Sequence, residues 1–88
     1  MDFKSKGETL RNEFKRLVLE YMSTNEECSK YGAGMRQADI FRECGMDWGE
    51  KSNCTSSNQQ YWIVAILREL EEENQIQRDN ITKRWRIK

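Results

Sequence analysis

The chain has 88 residues, of which 36% are hydrophobic and 34% charged, and its formal net charge is zero. This length allows one domain with a modest core, and the balanced charge excludes a protein that binds polyanions through bulk charge alone. No stretch has the length of a membrane span, and the N-terminus lacks the apolar run of a secretion signal. We therefore expect a cytoplasmic protein with no membrane partner.

The cysteines Cys28, Cys44 and Cys54 are odd in number and widely spaced, which favours reduced thiols over a disulfide framework. The chain has no His and no CxxC pair, so the four ligands of a zinc site are not available and we expect no metal. It also lacks a Gly-rich phosphate loop, a nucleophile elbow and a His-type base for a cysteine. We expect neither an enzyme nor a cofactor. A redox sensor acting through Cys44 and Cys54 is a further hypothesis.

Residues 1–7 are polar and are predicted to form a tail ahead of a single domain that spans residues 8–88. The first helix is predicted to begin near residues 5–9 and to end at about Ser23, because apolar residues recur there at helical spacing. Its apolar stripe comprises Leu10, Phe14, Leu17, Val18, Tyr21 and Met22. The polar stretch that follows contains two glycines and predicts a loop. Met35 is the expected position of a very short strand.

A second, short helix is predicted from Gln37 to Cys44, with Gly45 as its C-terminal stop. Its buried residues are expected to be Ala38, Ile40, Phe41 and Cys44. About a dozen residues then precede the next helix. In this loop we expect Asp47 and Glu50 to cap a single helical turn, and Trp48 to fill the edge of the core.

A long third helix is predicted over residues 57–73, because apolar residues recur there on one face. Ser57 and Gln60 have the spacing of a capping box, and Asn74 is a suitable left-handed stop. The stripe that faces the core comprises Ile63, Ile66, Leu67 and Leu70. Four glutamates lie between Glu69 and Glu73, so the end of this helix carries a compact acidic patch.

After Asn74 the apolar period changes from helical spacing to alternation, which predicts a β-hairpin. Ile76, Trp85 and Ile87 are expected on one face, and the turn between the strands falls at residues 79–82. The basic residues Arg78, Arg84, Arg86 and Lys88 are expected on the other face. Any affinity for anions must therefore be local to this hairpin.

This order of elements resembles the winged helix-turn-helix superfamily. The segment MRQADIFRECG is similar to its second helix, and LRELEEENQIQRDNITKRWRIK is similar to its long helix and wing. Stand-alone regulators, and small modules that accompany restriction or other DNA-processing enzymes, end in this way. The resemblance implies a mainly α-helical α+β fold of three helices and a C-terminal wing of two or three strands. The loop at 45–56 departs from the pattern, since the turn between the two helices usually has three or four residues.

In this superfamily the third helix enters the major groove and the wing follows the DNA backbone or the minor groove. The resemblance therefore implies binding of double-stranded DNA, by a transcriptional regulator or by a DNA-targeting module. Amide and guanidinium side chains can read adenine and guanine, and cations on the wing can neutralise phosphates. The predicted DNA contacts are Ser57, Asn58, Gln60, Tyr61 and Arg68 on the helix and Arg78, Lys83, Arg84 and Arg86 on the basic wing, which is predicted to span residues 75–88.

Each of these residues also has an alternative role within the fold. Ser57 and Gln60 can serve only as a helix cap, and Arg68 can pair with Glu71 or Glu72 one turn away. Cations on a terminal strand can simply protect an exposed sheet edge from pairing with another chain.

A second functional hypothesis belongs to a different class. In it the domain is a protein–protein interaction module that uses the acidic helix end and the 45–56 loop, with Trp48 and Tyr61 among its contacts. Under the DNA hypothesis, a homodimer joining two half-sites would raise the affinity. We expect the interface of such a dimer on the exposed part of the first helix.

Overall fold

The computed structural model describes residues 2–88, in which helices precede a C-terminal antiparallel hairpin. The elements in chain order are α1 (Phe3–Thr24), a 3₁₀ turn (Glu26–Cys28), α2 (Gln37–Glu43), α3 (Ser56–Gln59), α4 (Tyr61–Glu72), β1 (Ile76–Arg78) and β2 (Trp85–Ile87). Within residues 2–88, no helix has both the length and the apolar character needed to cross a lipid bilayer.

Helix α1 begins earlier than predicted, because the Asp2 carboxylate accepts a hydrogen bond from the Ser5 backbone N–H at 3.2 Å and caps the first turn. Residues 3–7, predicted as a tail, therefore belong to the helix, and Met1 lies outside the described residues. The predicted apolar stripe is buried only in the second half of α1, at Phe14, Val18 and Met22. Leu10 and Leu17, also predicted to face the core, are 65% and 42% exposed.

Helix α2 and its stop agree with the sequence pattern. Ile40, Phe41 and Cys44 are buried, and Gly45 follows with a φ of 76°, a conformation that favours glycine at a helix end. The helix itself ends at Glu43, one residue before the predicted position.

The predicted third helix is divided into two segments, α3 and α4. The capping residue is Thr55, whose side chain accepts a hydrogen bond from the Asn58 N–H at 3.2 Å; the predicted capping box of Ser57 and Gln60 does not form. At Gln60 the backbone N–H donates to the Ser57 carbonyl, three residues back, so the chain tightens before α4 begins. In α4 the predicted stripe of Ile63, Ile66, Leu67 and Leu70 is buried as expected.

The hairpin forms where the alternation predicts it. Ile76 pairs with Ile87, and Arg78 pairs with Trp85. Asn74, between α4 and β1, has a φ of 62°, as expected for a left-handed helix stop. Met35 forms an isolated bridge to Trp85, with N–H to O distances of 3.0 and 2.8 Å in the two directions, so the short third-strand contact is confirmed. The predicted coarse fold, helices followed by a small antiparallel hairpin, is therefore confirmed.

The register corrects the predicted face of one basic residue. Residues opposite each other in an antiparallel pair project on the same side of the sheet. Arg78 therefore lies beside Trp85 on the core side of the hairpin, with its guanidinium 5.9 Å from the centre of the Trp85 ring. The alternation within β1 already places Arg78 on the side of Ile76, two residues earlier, so its predicted position on the opposite face did not follow the strand period.

One core joins all the layers. The connection between α1 and α2, residues 25–36, is called the first loop below. The buried residues of the core are Phe14, Val18 and Met22 of α1, Cys28 and Met35 of the first loop, Ile40, Phe41 and Cys44 of the α2 segment, Ile63, Ile66, Leu67 and Leu70 of α4, and Ile76 and Trp85 of the hairpin. Helix α4 packs against both α1 and α2 and also against β1, so it is the central element.

Two glycines give a matched test of how tightly the first loop packs on the hairpin. Gly34 and Gly49 have positive φ angles of 88° and 86°, but only Gly34 is crowded: a Cβ there would lie 2.9 Å from the Arg84 Cβ. We expect Gly49→Ala to cost about 1 kcal/mol of unfolding free energy, from the φ angle alone. Gly34→Ala should cost about 3 kcal/mol or more, because it adds a clash to the same strain. Urea unfolding of both variants measures the difference, and equal losses would contradict the tight contact.

Candidate nucleic-acid interface

The predicted contacts on the helix lie around the start of α4 but differ in accessibility. Ser57 and Asn58 on α3 are exposed, and Tyr61 is 79% exposed at the first position of α4. Gln60 is half-buried, and its Oε1 accepts a hydrogen bond from Gln37 Nε2 at 3.3 Å. Gln60 therefore links α2 to α4, whereas the other three side chains are free to contact a ligand.

The 45–56 loop is held in place by side chains at its two ends. Ser56 donates from its hydroxyl to the Asp47 carboxylate at 2.8 Å and from its backbone N–H to the Glu50 carboxylate at 3.0 Å. Asp47 also accepts from the Gly49 N–H, and these hydrogen bonds, together with the charge of Arg42, lower the pKa of its carboxyl group. The predicted helical turn capped by Asp47 and Glu50 does not form, because both carboxylates bind the start of α3 instead.

Gln59 is the second anchor of this loop. Its Oε1 accepts from the Trp48 N–H at 2.8 Å, and its Nε2 donates to the Gly49 and Cys54 carbonyls at 2.8 and 3.2 Å. One side chain thus satisfies three backbone groups of the loop. These hydrogen bonds fix the position of the loop backbone next to α3.

An exposed aromatic surface lies on the same side of the molecule. Trp48 was predicted to fill the edge of the core, but it is 76% exposed because the bonds to Gln59 hold its backbone outside the core. Together with Tyr61 and Trp62 it borders an apolar pocket of about 340 Å³ that Phe41 also lines. Trp62, which is 67% exposed, was not predicted from the sequence. Its position outside the core stripe of α4 was the available signal.

Two hairpin cations bind the first loop. Arg84 donates from Nη1 to the Gly34 carbonyl and Arg86 from Nη1 to the Gly32 carbonyl, each at 3.2 Å. Arg86 also lies 3.8 Å from the Asp79 carboxylate. Both guanidinium groups are half-buried, so they fasten the loop to the hairpin while part of each remains accessible to solvent.

The other two predicted arginines lie over the indole ring of Trp85. The Arg68 guanidinium is 5.2 Å from the ring centre, and Arg68 also pairs with Glu71 at 2.9 Å, one of the alternatives open from the sequence. Arg78 approaches the same ring. Lys83 is exposed at the end of the hairpin turn, with a φ of 65°. Among residues 2–88, the salt bridges of the structure do not include Arg78, Lys83 or Arg84.

The hairpin turn carries the single acidic residue of the segment 76–88. The Asp79 carboxylate accepts hydrogen bonds from the backbone N–H groups of Thr82 and Ile81, at 2.9 and 2.8 Å, and these bonds lower its pKa. Asp79 therefore shapes the turn and offsets only the charge of Arg86. The hairpin as a whole keeps an excess of positive charge.

The acidic end of α4 is partly neutralised by two cations, Lys15 of α1 and Arg68 of α4 itself. Lys15 of α1 places its ammonium 3.2 Å from the Glu69 carboxylate and 2.5 Å from that of Glu73. The hydrogen bond to Glu73 is the main cause of a raised pKa at Lys15. Since Glu71 pairs with Arg68, Glu72 is the one glutamate of this patch outside the salt bridges of the described residues.

Two of the three cysteines lie in the core. Cys28 and Cys44 are buried, and burial raises the pKa of each thiol to about 11, so both stay protonated at neutral pH. Cys54 is exposed. In the described part of the chain, no group of His, Cys, Asp and Glu side chains is arranged to hold a metal ion.

Comparison with protein-family models, with curated proteins and with solved structures gives no match for this chain. The function is therefore inferred from the side chains and their surroundings.

Gln59 and its neighbour Asn58 give a matched test of the loop anchor. Replacing Gln59 by Ala removes the acceptor of the Trp48 N–H and the donor to two loop carbonyls, so the Trp48 amide should exchange with solvent about tenfold faster or more. Asn58→Ala removes an exposed amide of the same helix and should leave that exchange rate unchanged. Hydrogen exchange followed by NMR measures both. Equal rates in the two variants would mean that Gln59 does not hold the loop.

Proposed function

We propose that this protein is a winged helix-turn-helix domain that binds double-stranded DNA, with α3 and the start of α4 in the major groove and the hairpin on the backbone. The observation that carries the proposal is the hairpin charge: Lys83 and Arg84 lie outside the salt bridges of residues 2–88, and Arg78, also outside them, adds its charge from the core side of the hairpin. Uncompensated cations on one ribbon can neutralise successive phosphates and release their counterions.

The surface around α3 supports the same proposal. Ser57, Asn58 and Tyr61 are exposed on consecutive turns, and their hydroxyl and amide groups can donate to or accept from base edges. The 45–56 loop beside them is fixed by Gln59, so these groups are presented from a defined surface. Such preorganisation lowers the entropy lost on binding.

The acidic patch does not oppose this mode of binding as strongly as the sequence suggests. Glu69 and Glu73 face Lys15 of α1, and Glu71 pairs with Arg68. Partial neutralisation weakens the repulsion that these carboxylates would otherwise exert on a phosphate backbone.

We expect Lys83→Gln to weaken binding to a labelled random-sequence duplex and to reduce the slope of log affinity against log salt by about one unit, since one phosphate contact is lost. Lys83 is suited to this test because its side chain is exposed and forms none of the observed hydrogen bonds. The matched control is Arg16→Gln, which removes one exposed charge from α1. Its affinity and salt slope should equal those of the wild type.

The titration also tests the proposal as a whole. Wild-type affinity should fall steeply between low and physiological salt. A protein that shows no binding to duplex DNA even at low salt would overturn the proposed function. Equal losses in the Lys83 and Arg16 variants would instead show that bulk charge, and not the hairpin, determines binding.

A second candidate function is protein–protein contact through the exposed aromatic surface. It is favoured by the apolar pocket beside Trp48, Tyr61 and Trp62, because exposed aromatic clusters of this kind are typical of binding hot spots. The acidic helix end contributes less to this alternative than predicted, because Lys15 covers two of its glutamates. Binding that depends on Trp48 and is insensitive to salt would distinguish it from DNA binding.

A further inference from the structure

Three apolar residues of α1 form an exposed line. Phe3, Leu10 and Leu17 are seven residues apart and are 74%, 65% and 42% exposed. A spacing of seven residues keeps side chains on nearly the same side of a helix, with a drift of about 20° per repeat. These residues therefore line one face of α1, beside the face that packs on the core.

The exposed line is half of a longer heptad pattern. Gly7, Phe14 and Tyr21 alternate with the three exposed residues at steps of four and three, which is the spacing of a coiled-coil seam. Phe14 is buried in the core of its own chain and Tyr21 is half-buried there. Along residues 2–13, however, every side chain is exposed. About three helical turns thus lack a packing partner, although helices of this length are marginal in water without one.

A groove lies next to the exposed line and on the same side of the molecule. Gly7 and Arg11 form one wall, Tyr61, Trp62 and Ala65 of α4 form the other, and the groove has a volume of about 390 Å³. A Cβ placed on Gly7 would meet nothing within 4 Å, so the space above this residue is open. A projecting leucine and a groove able to accept it are therefore neighbours on one surface, as an isologous two-fold interface requires.

The charges beside the line are self-complementary in one orientation. Lys6 and Glu13 are also seven residues apart and flank Leu10 on the same edge of the helix. In an antiparallel pair, equivalent edges of the two helices face each other, so Lys6 of each copy would meet Glu13 of the other. The formal net charge of zero means that two copies do not repel each other through bulk charge.

The apolar surface available is of useful size. Phe3 and Trp62 are 74% and 67% exposed, and two such aromatic side chains expose on the order of 300 Å². Leu10 and Leu17, which are 65% and 42% exposed, enlarge this apolar area, and polar flanks would have to supply the rest of the roughly 800 Å² per partner that a specific interface buries.

We propose that two copies of this chain pair through α1 in antiparallel orientation, with Leu10 of each copy in the groove beside Gly7 and Trp62 of the other. The pairing does not depend on DNA binding, and its test contains no nucleic acid, so failure of one proposal leaves the other standing. In such a pair the two hairpins, and likewise the two copies of α3, are related by the two-fold axis.

The experiment is analytical ultracentrifugation of the full chain over micromolar to near-millimolar concentrations. The wild type should show a concentration-dependent dimer, and Leu10→Asp should remain monomeric, because it places a carboxylate in the apolar groove. Ile81→Asp is the matched control: Ile81 is 91% exposed in the hairpin turn, and the dimer should persist. Circular dichroism of each variant verifies that it is folded. A wild type that is monomeric at every concentration, or equal dimerisation of Leu10→Asp and wild type, would overturn the proposal.

Charge reversal tests the orientation. Lys6→Glu and Glu13→Lys should each weaken the dimer several-fold, because each places like charges together at both ends of the seam. The double variant, Lys6→Glu with Glu13→Lys, should return the dissociation constant close to the wild-type value. Failure of the double variant to recover would rule out the antiparallel arrangement. A purely structural role for either residue within one chain would produce no such recovery.

Discussion

Trp85 is the side chain on which the rest of the structure depends. It is 1% exposed in the core and belongs to the last strand of the chain. Its backbone exchanges two hydrogen bonds with Met35, which ties the loop after α1 to the hairpin, and Arg78 lies opposite it in the register. Its ring also lies beneath the Arg68 guanidinium of α4. Hairpin, central helix and first loop therefore meet at one residue, and a change in any of them is transmitted to the others through packing.

In this arrangement the hairpin cations have a structural role and supply positive charge. Arg84 and Arg86 fasten the glycine-rich loop, while Arg78 covers the edge of the Trp85 ring. The same guanidinium groups supply the positive charge on which the DNA proposal depends. A guanidinium has five N–H donors, so one bond to a carbonyl leaves others available to a phosphate. Loss of such an arginine would affect both the stability of the fold and the binding of DNA. The side chain of Lys83 carries charge but makes no comparable contact within residues 2–88 of the fold.

The parts of the fold that sequence predicted are those set by local backbone chemistry or by a regular apolar period. Asn74 and Gly45 end their helices as predicted, because a positive φ angle is a property of a few residue types. The break between α3 and α4 was not predicted because it depends on a distant partner, the loop that hydrogen-bonds to Gln59. The face of Arg78 was predicted wrongly for another reason: Arg78 lies two residues after Ile76, and the strand period puts both on the same side. Periodicity likewise identified Leu10 as apolar, but not that its side chain would lie outside the core, where it is 65% exposed.

For the predicted site, the sequence showed which residue types are present better than it showed which side chains are free to contact a ligand. The sequence identified the basic hairpin. It did not show that Gln60 accepts a hydrogen bond from Gln37, or that Arg84 and Arg86 donate to carbonyl groups of the first loop. The neutral net charge is likewise a sum that hides an uneven distribution. Lys15 of α1 partly neutralises Glu69 and Glu73 at the end of α4, while Asp79 accepts hydrogen bonds from the turn and pairs only with Arg86, which leaves most of the hairpin charge uncompensated. The net charge of zero is a sum over the whole chain, so it does not show that the hairpin carries a local excess of positive charge.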